Sequence, residues 1–255
     1  MTERTELAVE LANEAAQIAV HYFKGEFKVD LKKDQSPVTV ADQEIERMMA
    51  NAVESKFPED GFFGEEYGVR PGTSGFRWIV DPIDGTRNFV RRIPMFATLI
   101  GIEQDGEVVG GVANSPLMNE FYLAEKGAGA FLNNETIQVS EVSSIDRAHL
   151  IYPSFSKLKD EAYREALFEL AGQCERSRGF GDYFGHVLVA SGRSEIMMEP
   201  SVNPWDIAAI KILVEEAGGV FTDLNGEQTI YGHGAVSANP ALHPIVIEAL
   251  KAVNS

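Results

Sequence analysis

The 255-residue chain contains 39 acidic and 22 basic residues, which gives a net charge of -17, and 44% of its residues are hydrophobic. This composition is ordinary for a folded domain and excludes an intrinsically disordered chain. The acidic surface repels nucleic acid and anionic lipid, so we expect neither as a partner, and a phosphate ester would need a local cation such as a bound metal.

Two helices are predicted at the start of the chain. Apolar residues recur at helical spacing over 4–24, and Gly25 is suited to end that helix. A second apolar stripe predicts a helix over 43–57, with Asp42 as its N-cap. The segment 34–42 between them is predicted to begin as a loop.

The middle of the chain is predicted to form antiparallel strands, and the last part alternates helices with strands. Short apolar runs separated by Gly, Asp and Pro are typical of strands, and Gln-Asp-Gly-Glu at 104–107 predicts a hairpin. The predicted strands cover 78–80, 98–102, 108–112 and 121–124, and they are followed by helices at 160–173, 182–192, 206–217 and 242–253 and strands at 220–222 and 235–237. This order predicts a layered α+β architecture. We expect a single domain over 1–255, with an N-terminal lobe over 1–140 and a C-terminal lobe over 141–255.

No segment of the sequence indicates a membrane span or a secretion signal. The apolar runs fall short of the roughly 18 residues that a span requires, and the first residues lack a signal-peptide pattern. Cys174 is the only cysteine, which excludes an internal disulfide and a cysteine-based zinc site. We therefore expect a cytoplasmic protein.

The sequence Trp-Ile-Val-Asp-Pro-Ile-Asp-Gly-Thr-Arg-Asn-Phe at 78–89 brings two carboxylates together. An apolar strand is predicted to end at Asp81, where Pro82 stops the ladder, and Asp84 follows three residues later. Both carboxylates and the carbonyl of Ile83 can converge on one point, which suits a hard cation such as Mg²⁺. A helix that begins directly after this turn would direct backbone N–H groups at a bound phosphate. For an isolated Asp-Pro-x-Asp-Gly sequence, two turn-forming dipeptides are the commoner interpretation.

Two further acidic elements add candidate ligands. Glu65 follows an apolar dipeptide and a glycine, and Asp206 stands at the start of a strongly apolar helix. Taken singly, Glu65 reads as an ordinary surface acid and Asp206 as an ordinary N-cap. With Asp81 and Asp84 they supply enough anionic oxygens for two or three hard cations.

These motifs resemble those of the inositol monophosphatase family in sequence, order and spacing. The shared segments are Gly-Glu-Glu at 64–66, Asp-Pro-Ile-Asp-Gly-Thr-Arg-Asn-Phe at 81–89 and Trp-Asp-Ile-Ala-Ala at 205–209, and the similarity runs from about Leu7 to the C-terminus. The resemblance implies an αβαβα sandwich and a Mg²⁺-dependent phosphomonoesterase that acts on a small phosphorylated metabolite. It also implies a homodimer and inhibition by millimolar lithium.

The same resemblance implies roles for individual residues. The metal ligands would be Glu65, Asp81, the carbonyl of Ile83, Asp84 and Asp206, holding two or three Mg²⁺ ions. Glu65 and Thr86, assisted by Asp42, would activate the attacking water, while Gly85 and Thr86 would hold the phosphate through backbone N–H groups. Such hydrolysis proceeds by in-line attack of water, without a covalent enzyme intermediate.

Two carboxylates bear on the choice of substrate. Asp182 stands where relatives that act on inositol phosphate typically carry alanine, and Glu199 matches a residue of the family that contacts the substrate. Both would suit a cationic leaving group, because a desolvated charge requires an opposite partner. Together with 34–42, Gly-Asp-Tyr at 181–183 resembles the histidinol-phosphate phosphatase branch, whose substrate carries an ammonium group. The alternative for Asp182 is a helix N-cap.

The sequence leaves three functions open. The first is a histidinol-phosphate phosphatase, which releases histidinol and phosphate in histidine biosynthesis. The second is an inositol-1-monophosphatase with broad tolerance for small phosphate esters. The third is a regulatory binding protein on the same fold, against which stands the competent residue at every predicted metal position.

Overall fold

The computed structural model describes residues 1–25, 29–31 and 37–252. Its helices in this part of the chain are α1 Glu3–Lys24, α2 Val40–Lys56, α3 Thr86–Val90, α4 Glu161–Gln173, α5 Asp182–Ala190, α6 Pro204–Glu216 and α7 His243–Ala252. Its strands are β1 Val29–Leu31, β2 Pro37–Thr39, β3 Gly61–Gly64, β4 Gly68–Arg70, β5 Phe76–Asp84, β6 Ala97–Gln104, β7 Glu107–Ser115, β8 Glu120–Glu125, β9 Gly129–Leu132, β10 Glu135–Ile137, β11 His149–Ile151, β12 Arg176–Arg178, β13 Ile196–Glu199, β14 Val220–Thr222 and β15 Ala235–Ala238. Short 3-10 helices cover Ile145–Arg147 and Phe155–Lys157.

Two large sheets organise these strands. The first has eight strands in the order β10-β9-β8-β7-β6-β5-β3-β4, and its neighbours are antiparallel except for the parallel pair β3 and β5. The second has five strands in the order β12-β11-β13-β15-β14, with β11 parallel to β12 and β13. The strands β1 and β2 form a separate antiparallel pair.

The layers follow from the faces that these elements bury. Helices α1 and α2 cover one face of the eight-stranded sheet, α5 and α6 lie between the two sheets, and α4 and α7 cover the outer face of the five-stranded sheet. Because successive strand residues point to opposite faces, Trp78 and Val80 pack with α1 and α2, whereas Ile79 packs with α6. Met197 and Met198 of β13 divide in the same way between the inner and outer layers. The protein is therefore the αβαβα sandwich that the family resemblance implied.

Most predicted elements are confirmed, and the differences lie at their ends. The hairpin predicted at 104–107 is confirmed, and it turns through Asp105 and Gly106, whose φ angles of 50° and 89° are typical of a type I′ turn. The helix predicted at 206–217 begins two residues earlier. None of the described helices is long and apolar enough to cross a membrane.

The N-cap predicted for the second helix was wrong. The helix α2 begins at Val40, and Thr39 is its N-cap, with an extended backbone and a side chain that accepts from the first-turn N–H groups. Asp42 is instead the third helical residue, and its carboxylate returns to the N–H of Thr39 at 2.8 Å, which completes a capping box. Residues 34–36 of the predicted loop lie outside the described part of the chain.

A buried aspartate ties α1 to the eight-stranded sheet. Asp60 is 1% exposed and accepts hydrogen bonds from Arg4 at 2.8 and 2.9 Å, from Ser74 at 2.7 Å and from the indole of Trp78 at 2.9 Å. Burial alone would raise the pKa of Asp60, but these hydrogen bonds outweigh burial and hold its pKa below the ordinary value. The Arg4 guanidinium also stacks 3.7 Å from the ring centroid of Phe76. The Arg4–Asp60 ion pair is thus held by hydrogen bonds to Asp60 and by the packing of Arg4 against Phe76.

We expect Asp60→Asn to lower the free energy of unfolding by about 3 kcal/mol, because it leaves the Arg4 guanidinium without its buried counter-charge. Urea unfolding at pH 7 measures this loss. A lowered native pKa means that the ionised carboxylate stabilises the fold above its ordinary pKa, and that this stabilisation is lost as the pH falls through the native pKa. The difference between wild type and variant should therefore shrink in acid.

The matched control is Glu54→Gln, since Glu54 pairs with Arg70 at 3.1 Å on the surface. This exposed pair should contribute less than about 1 kcal/mol. Equal losses in the two variants would contradict the role assigned to Asp60.

Candidate active site

Three carboxylates converge at the point where β5 ends and α6 begins. Oxygens of Asp81, Asp84 and Asp206 lie within 4.8 Å of one another. Asp81 and Asp84 are buried, and Asp206 is partly buried. The three side chains that the sequence proposed as the centre of the site are thus together.

A β-bulge brings the first two carboxylates to one side of β5. The expectation that the strand stops at Asp81 was wrong, because β5 resumes its pairing with β6 at Asp84. Asp81 pairs with Leu99 and Asp84 with Ala97, so three steps along β5 oppose two steps along β6. Residues three apart on a regular strand face opposite sides. The extra residue between Asp81 and Asp84 removes that divergence.

Local hydrogen bonds hold the turn between these carboxylates and α3. The Ile83 N–H donates to Asp81 Oδ1 at 2.9 Å, and the Thr86 hydroxyl donates to the Ile83 carbonyl at 3.0 Å. Gly85 is the N-cap of α3 and has a φ of 84°, a conformation that disfavours a side chain. The Ile83 carbonyl, which the resemblance implied as a metal ligand, and the Thr86 hydroxyl, which it implied in water activation, therefore lie in contact.

Asp206 reaches the cluster from the first turn of α6. The N-cap of that helix is Asn203, so the alternative reading of Asp206 as an N-cap was wrong. Asp206 is the third helical residue, and its Oδ2 accepts the Asn203 N–H at 2.7 Å. The helix itself lies buried between the two sheets, so its start is held in place by the core.

Among the residues that the structure describes, no basic side chain forms an ion pair with these three carboxylates. Burial, followed by the neighbouring carboxylates, raises the pKa values of Asp81 and Asp84 well above their ordinary value and that of Asp206 to about 7. Raised pKa values mean that the ionised carboxylates are unfavourable next to one another. A hard divalent cation stabilises their ionised form, and its preferred ligands are carboxylate and carbonyl oxygens. The donor set fits such a metal.

A cavity of about 210 Å³ lies over the cluster and contains most of the predicted site. Its lining includes the predicted residues Glu65, Asp81, Asp84, Gly85, Thr86, Asp182, Glu199 and Asp206. Metal, phosphate and leaving-group candidates thus share one cavity.

Asp42 is placed differently from the other predicted catalytic residues. It is 1% exposed and is not among the residues that line this cavity, and Thr39 donates to its Oδ2 through both N–H and hydroxyl. Burial raises the pKa of Asp42 to about 7, and the charge of Glu65 adds to the rise. Its part in water activation stays a prediction.

The sequence analysis gave no role to three ionisable residues that line the cavity, namely Arg87, Lys157 and His186. The Lys157 ammonium lies 2.5 Å from Glu199 Oε1 and 3.9 Å from Asp182, and His186 Nε2 lies 3.5 Å from Glu199 Oε2. No motif marks Lys157, because 42 residues separate it from Glu199. Burial alone would raise the pKa of Glu199, but His186 and Lys157 hold that pKa below its ordinary value.

A fourth missed residue supports the turn that carries Glu65. Glu46 is 0% exposed, and its carboxylate accepts the N–H groups of Glu66 at 2.9 Å and Tyr67 at 2.8 Å. A Cβ at Gly64 would lie 1.9 Å from Glu46 Oε1, so glycine is required for this approach. The sequence did carry a signal for Glu46: it lies four residues after Asp42, and residues four apart share one face of a helix.

Comparison with known proteins agrees with this geometry. The sequence model of the inositol monophosphatase family matches residues 1–255. The chain belongs to the inositol monophosphatase family. Among its relatives, it is 40% identical to a histidinol-phosphatase of Chlorobaculum parvum, covering 98% of this chain and 97% of that protein. It is 36% identical to human inositol monophosphatase 1, covering 88% and 84%.

Solved structures show the same fold. The extragenic suppressor protein suhB from Bartonella henselae superposes with a TM-score of 0.92 at 30% identity, covering 98% of this chain and 99% of that one. An IMPase from Thermotoga maritima superposes with a TM-score of 0.89 at 30% identity, covering 99% and 98%. The chain is accordingly a phosphatase that hydrolyses phosphate monoesters, in a family of metal-dependent enzymes.

We expect Asp84→Asn to abolish phosphatase activity and yet raise the melting temperature of the metal-free protein by about 3 °C, which corresponds to about 1 kcal/mol. The substitution removes one of the mutually repelling carboxylates but keeps an oxygen for the Tyr183 N–H, which lies 2.7 Å from Asp84 Oδ2. Phosphate release with Mg²⁺ measures the loss of activity, and thermal unfolding at pH 8 with a chelator measures the melting temperature.

Mg²⁺ should raise the melting temperature of the wild type, because a cation that binds only the native state stabilises it. It should not do so for the variant. Asp60→Asn is the control of opposite sign, and a fall in the melting temperature of metal-free Asp84→Asn would contradict the repulsion argument.

We expect Glu46→Ala to weaken activation by Mg²⁺ about 10–100-fold, because the turn that carries Glu65 loses its support. The Mg²⁺ dependence of phosphate release and calorimetric Mg²⁺ binding measure this change. Glu46→Gln retains one acceptor oxygen and should recover part of it. The control is Glu44→Gln on the same helix, where the Tyr22 hydroxyl donates to Glu44 at 2.7 Å. A lower melting temperature with unchanged Mg²⁺ dependence would reduce Glu46 to a structural residue.

Proposed function

We propose that this phosphatase hydrolyses L-histidinol phosphate to L-histidinol and phosphate, with Mg²⁺ as its metal. The observation that carries the proposal is the pair of carboxylates, Asp182 and Glu199, in the same cavity as the three-carboxylate cluster. A leaving group with an ammonium substituent finds opposite charge there, in a partly desolvated wall. The names of the relatives from Chlorobaculum parvum and Mycobacterium tuberculosis, the latter 37% identical, support the same substrate.

The backbone at Asp182 strengthens the case for a functional carboxylate. Gly181 is the N-cap of α5, and Asp182, the first helical residue, has a φ of 52°. A non-glycine residue in the left-handed region is uncommon, although Asp and Asn tolerate it best, and such strain concentrates at functional sites. Burial and the charge of Glu199 raise the pKa of Asp182 to about 6, so the group remains largely ionised at neutral pH.

The chain's own residues have distinct parts in the proposed reaction. Asp81, Asp84, Asp206, Glu65 and the Ile83 carbonyl would hold the metal. When bound, Mg²⁺ neutralises phosphate charge and supplies a water of lowered pKa for in-line attack. The Thr86 hydroxyl would orient the attacking water, the Glu65 carboxylate would accept its proton, and the backbone at Gly85 and Thr86 would position the phosphate.

A second candidate function is an inositol-1-monophosphatase. One observation favours it: Lys157 already pairs with Glu199, so the leaving-group wall carries less negative charge than its two carboxylates suggest. Human inositol monophosphatase 1 is also nearly as similar in sequence as the histidinol-phosphatases. The hydroxyls of a neutral polyol could donate hydrogen bonds to the carboxylates of Asp182 and Glu199 and accept one from the Lys157 ammonium. Side-by-side turnover of the two esters separates the candidates.

We expect Asp182→Asn to raise KM for L-histidinol phosphate about 10–100-fold, the range for loss of one charged hydrogen-bonded pair. For inositol 1-phosphate, KM should change less than about two-fold. Asparagine is the substitution of choice because it tolerates the positive φ that alanine resists. Phosphate release with Mg²⁺ measures both substrates.

Asp105→Asn is the matched control, since Asp105 has a φ of 50° in the remote hairpin at 104–107. It should leave both KM values unchanged. A wild type that prefers inositol 1-phosphate, together with indifference to Asp182→Asn, would sink the histidinol-phosphate proposal and establish the second candidate.

A further inference from the structure

Lys157 brings a positive charge into the wall formed by Asp182 and Glu199. Its Nζ lies 2.5 Å from Glu199 Oε1 and 3.9 Å from Asp182 Oδ1. Burial alone would lower the pKa of Lys157, but Glu199 and Asp182 outweigh burial and raise it, so the side chain is charged. The position that suits a leaving-group ammonium therefore already holds an ammonium.

The two partners of this short contact differ in their freedom to move. The Glu199 side chain is 3% exposed, and His186 lies against its other oxygen while bonding to Ser237 Oγ at 2.7 Å. The Lys157 side chain is 37% exposed, ends the 3-10 helix Phe155–Lys157, and has a flexible four-carbon stem. Of the two partners, Lys157 is therefore the one whose side chain can move away when another cation competes for Glu199.

A displaced Lys157 has a polar space to enter. Arg87, Lys157 and Asp182 line both the 210 Å³ cavity and an adjoining cavity of about 1150 Å³. The larger cavity is also lined by Tyr152 and Phe155, the latter 63% exposed. The ammonium can therefore leave Glu199 without being buried elsewhere, and the larger cavity has room for the far end of a leaving group.

We propose that Lys157 is a specificity-determining residue that occupies the ammonium position of the leaving-group wall and must be displaced by a cationic leaving group. Two ammonium groups repel each other across this short distance. A cationic leaving group binds only to the molecules in which Lys157 has moved away from Glu199. Its apparent affinity is therefore reduced in proportion to the fraction of molecules in that arrangement. Lys157 thus lowers the preference for cationic over neutral esters. The inference rests on the proposed function in one respect, that Asp182 and Glu199 face the leaving group.

The test compares esters that differ in leaving-group charge. The measured quantity is the ratio of kcat/KM for 2-aminoethyl phosphate to kcat/KM for glycerol 2-phosphate, in which effects on the shared phosphate cancel. Lys157→Met should raise this ratio about ten-fold, because the Lys157 ammonium is removed and the ammonium of the substrate can then pair with the Glu199 carboxylate. Lys157→Arg keeps the positive charge and should leave the ratio near that of the wild type. L-histidinol titrated into metal-free protein should likewise bind more tightly to Lys157→Met.

Lys159→Met is the matched control. Lys159 lines the larger cavity and is exposed, and within the described chain it makes no ion pair with either carboxylate. Removing its charge should change the ratio less than about two-fold. An unchanged or lower ratio in Lys157→Met, or an equal rise in Lys159→Met, overturns the proposal. If Lys157→Met fails to fold, Lys157→Gln is judged by the same criterion.

The outcome separates this inference from the proposed function. Poor turnover of L-histidinol phosphate by the wild type and by every variant would refute the histidinol-phosphate proposal. The ratio for the two small esters would still report whether Lys157 opposes a cationic leaving group. An unchanged ratio beside strong preference for L-histidinol phosphate would refute the role of Lys157 alone.

Discussion

The site depends on one unfavourable arrangement, the gathering of three carboxylates in a partly buried space. Mutual repulsion and desolvation both oppose it, as the raised pKa values of Asp81, Asp84 and Asp206 show. Only a rigid scaffold can hold such groups together. The scaffold here is the contact of β5 with α6, because β5 lies within the eight-stranded sheet and α6 is packed between two sheets.

A hydrogen bond also joins the three-carboxylate cluster to the segment that carries Asp182. The first N–H beyond Asp182 belongs to Tyr183, and it donates to Asp84 Oδ2 at 2.7 Å. Asp182 and Asp84 are thus connected through one peptide unit, and a shift of α5 would move both. The buried ring of Tyr183 fixes this junction further, since its hydroxyl donates to Ser115 at 2.7 Å. The proposed metal ligand Asp84 and the proposed leaving-group contact Asp182 are therefore held by the same hydrogen bond.

Local patterns predicted much of this structure, and tertiary contacts account for what they missed. The cluster of Asp81 and Asp84 was predictable because strand and turn chemistry lie within a few residues, and the layers followed from the order of elements. The bulge between Asp81 and Asp84 was not predictable, because it is defined by the pairing of β5 with β6. The N-cap of α2 was misplaced for a related reason: Asp42 and Thr39 bond reciprocally, and either suits a cap. Lys157 carried no signal, since its partner lies on another element.

The Lys157 contact shows why counting carboxylates does not predict substrate charge. Asp182 and Glu199 by themselves suggest a site for a cation, yet a buried carboxylate must be paired in the free enzyme as well as in the complex. The protein pairs Glu199 with Lys157, so under the proposed function a substrate cation would gain only the difference between two similar contacts. Selectivity is a difference of affinities. In this site, the residue that pairs with Glu199 before a substrate binds is therefore as informative about substrate charge as Asp182 and Glu199 themselves.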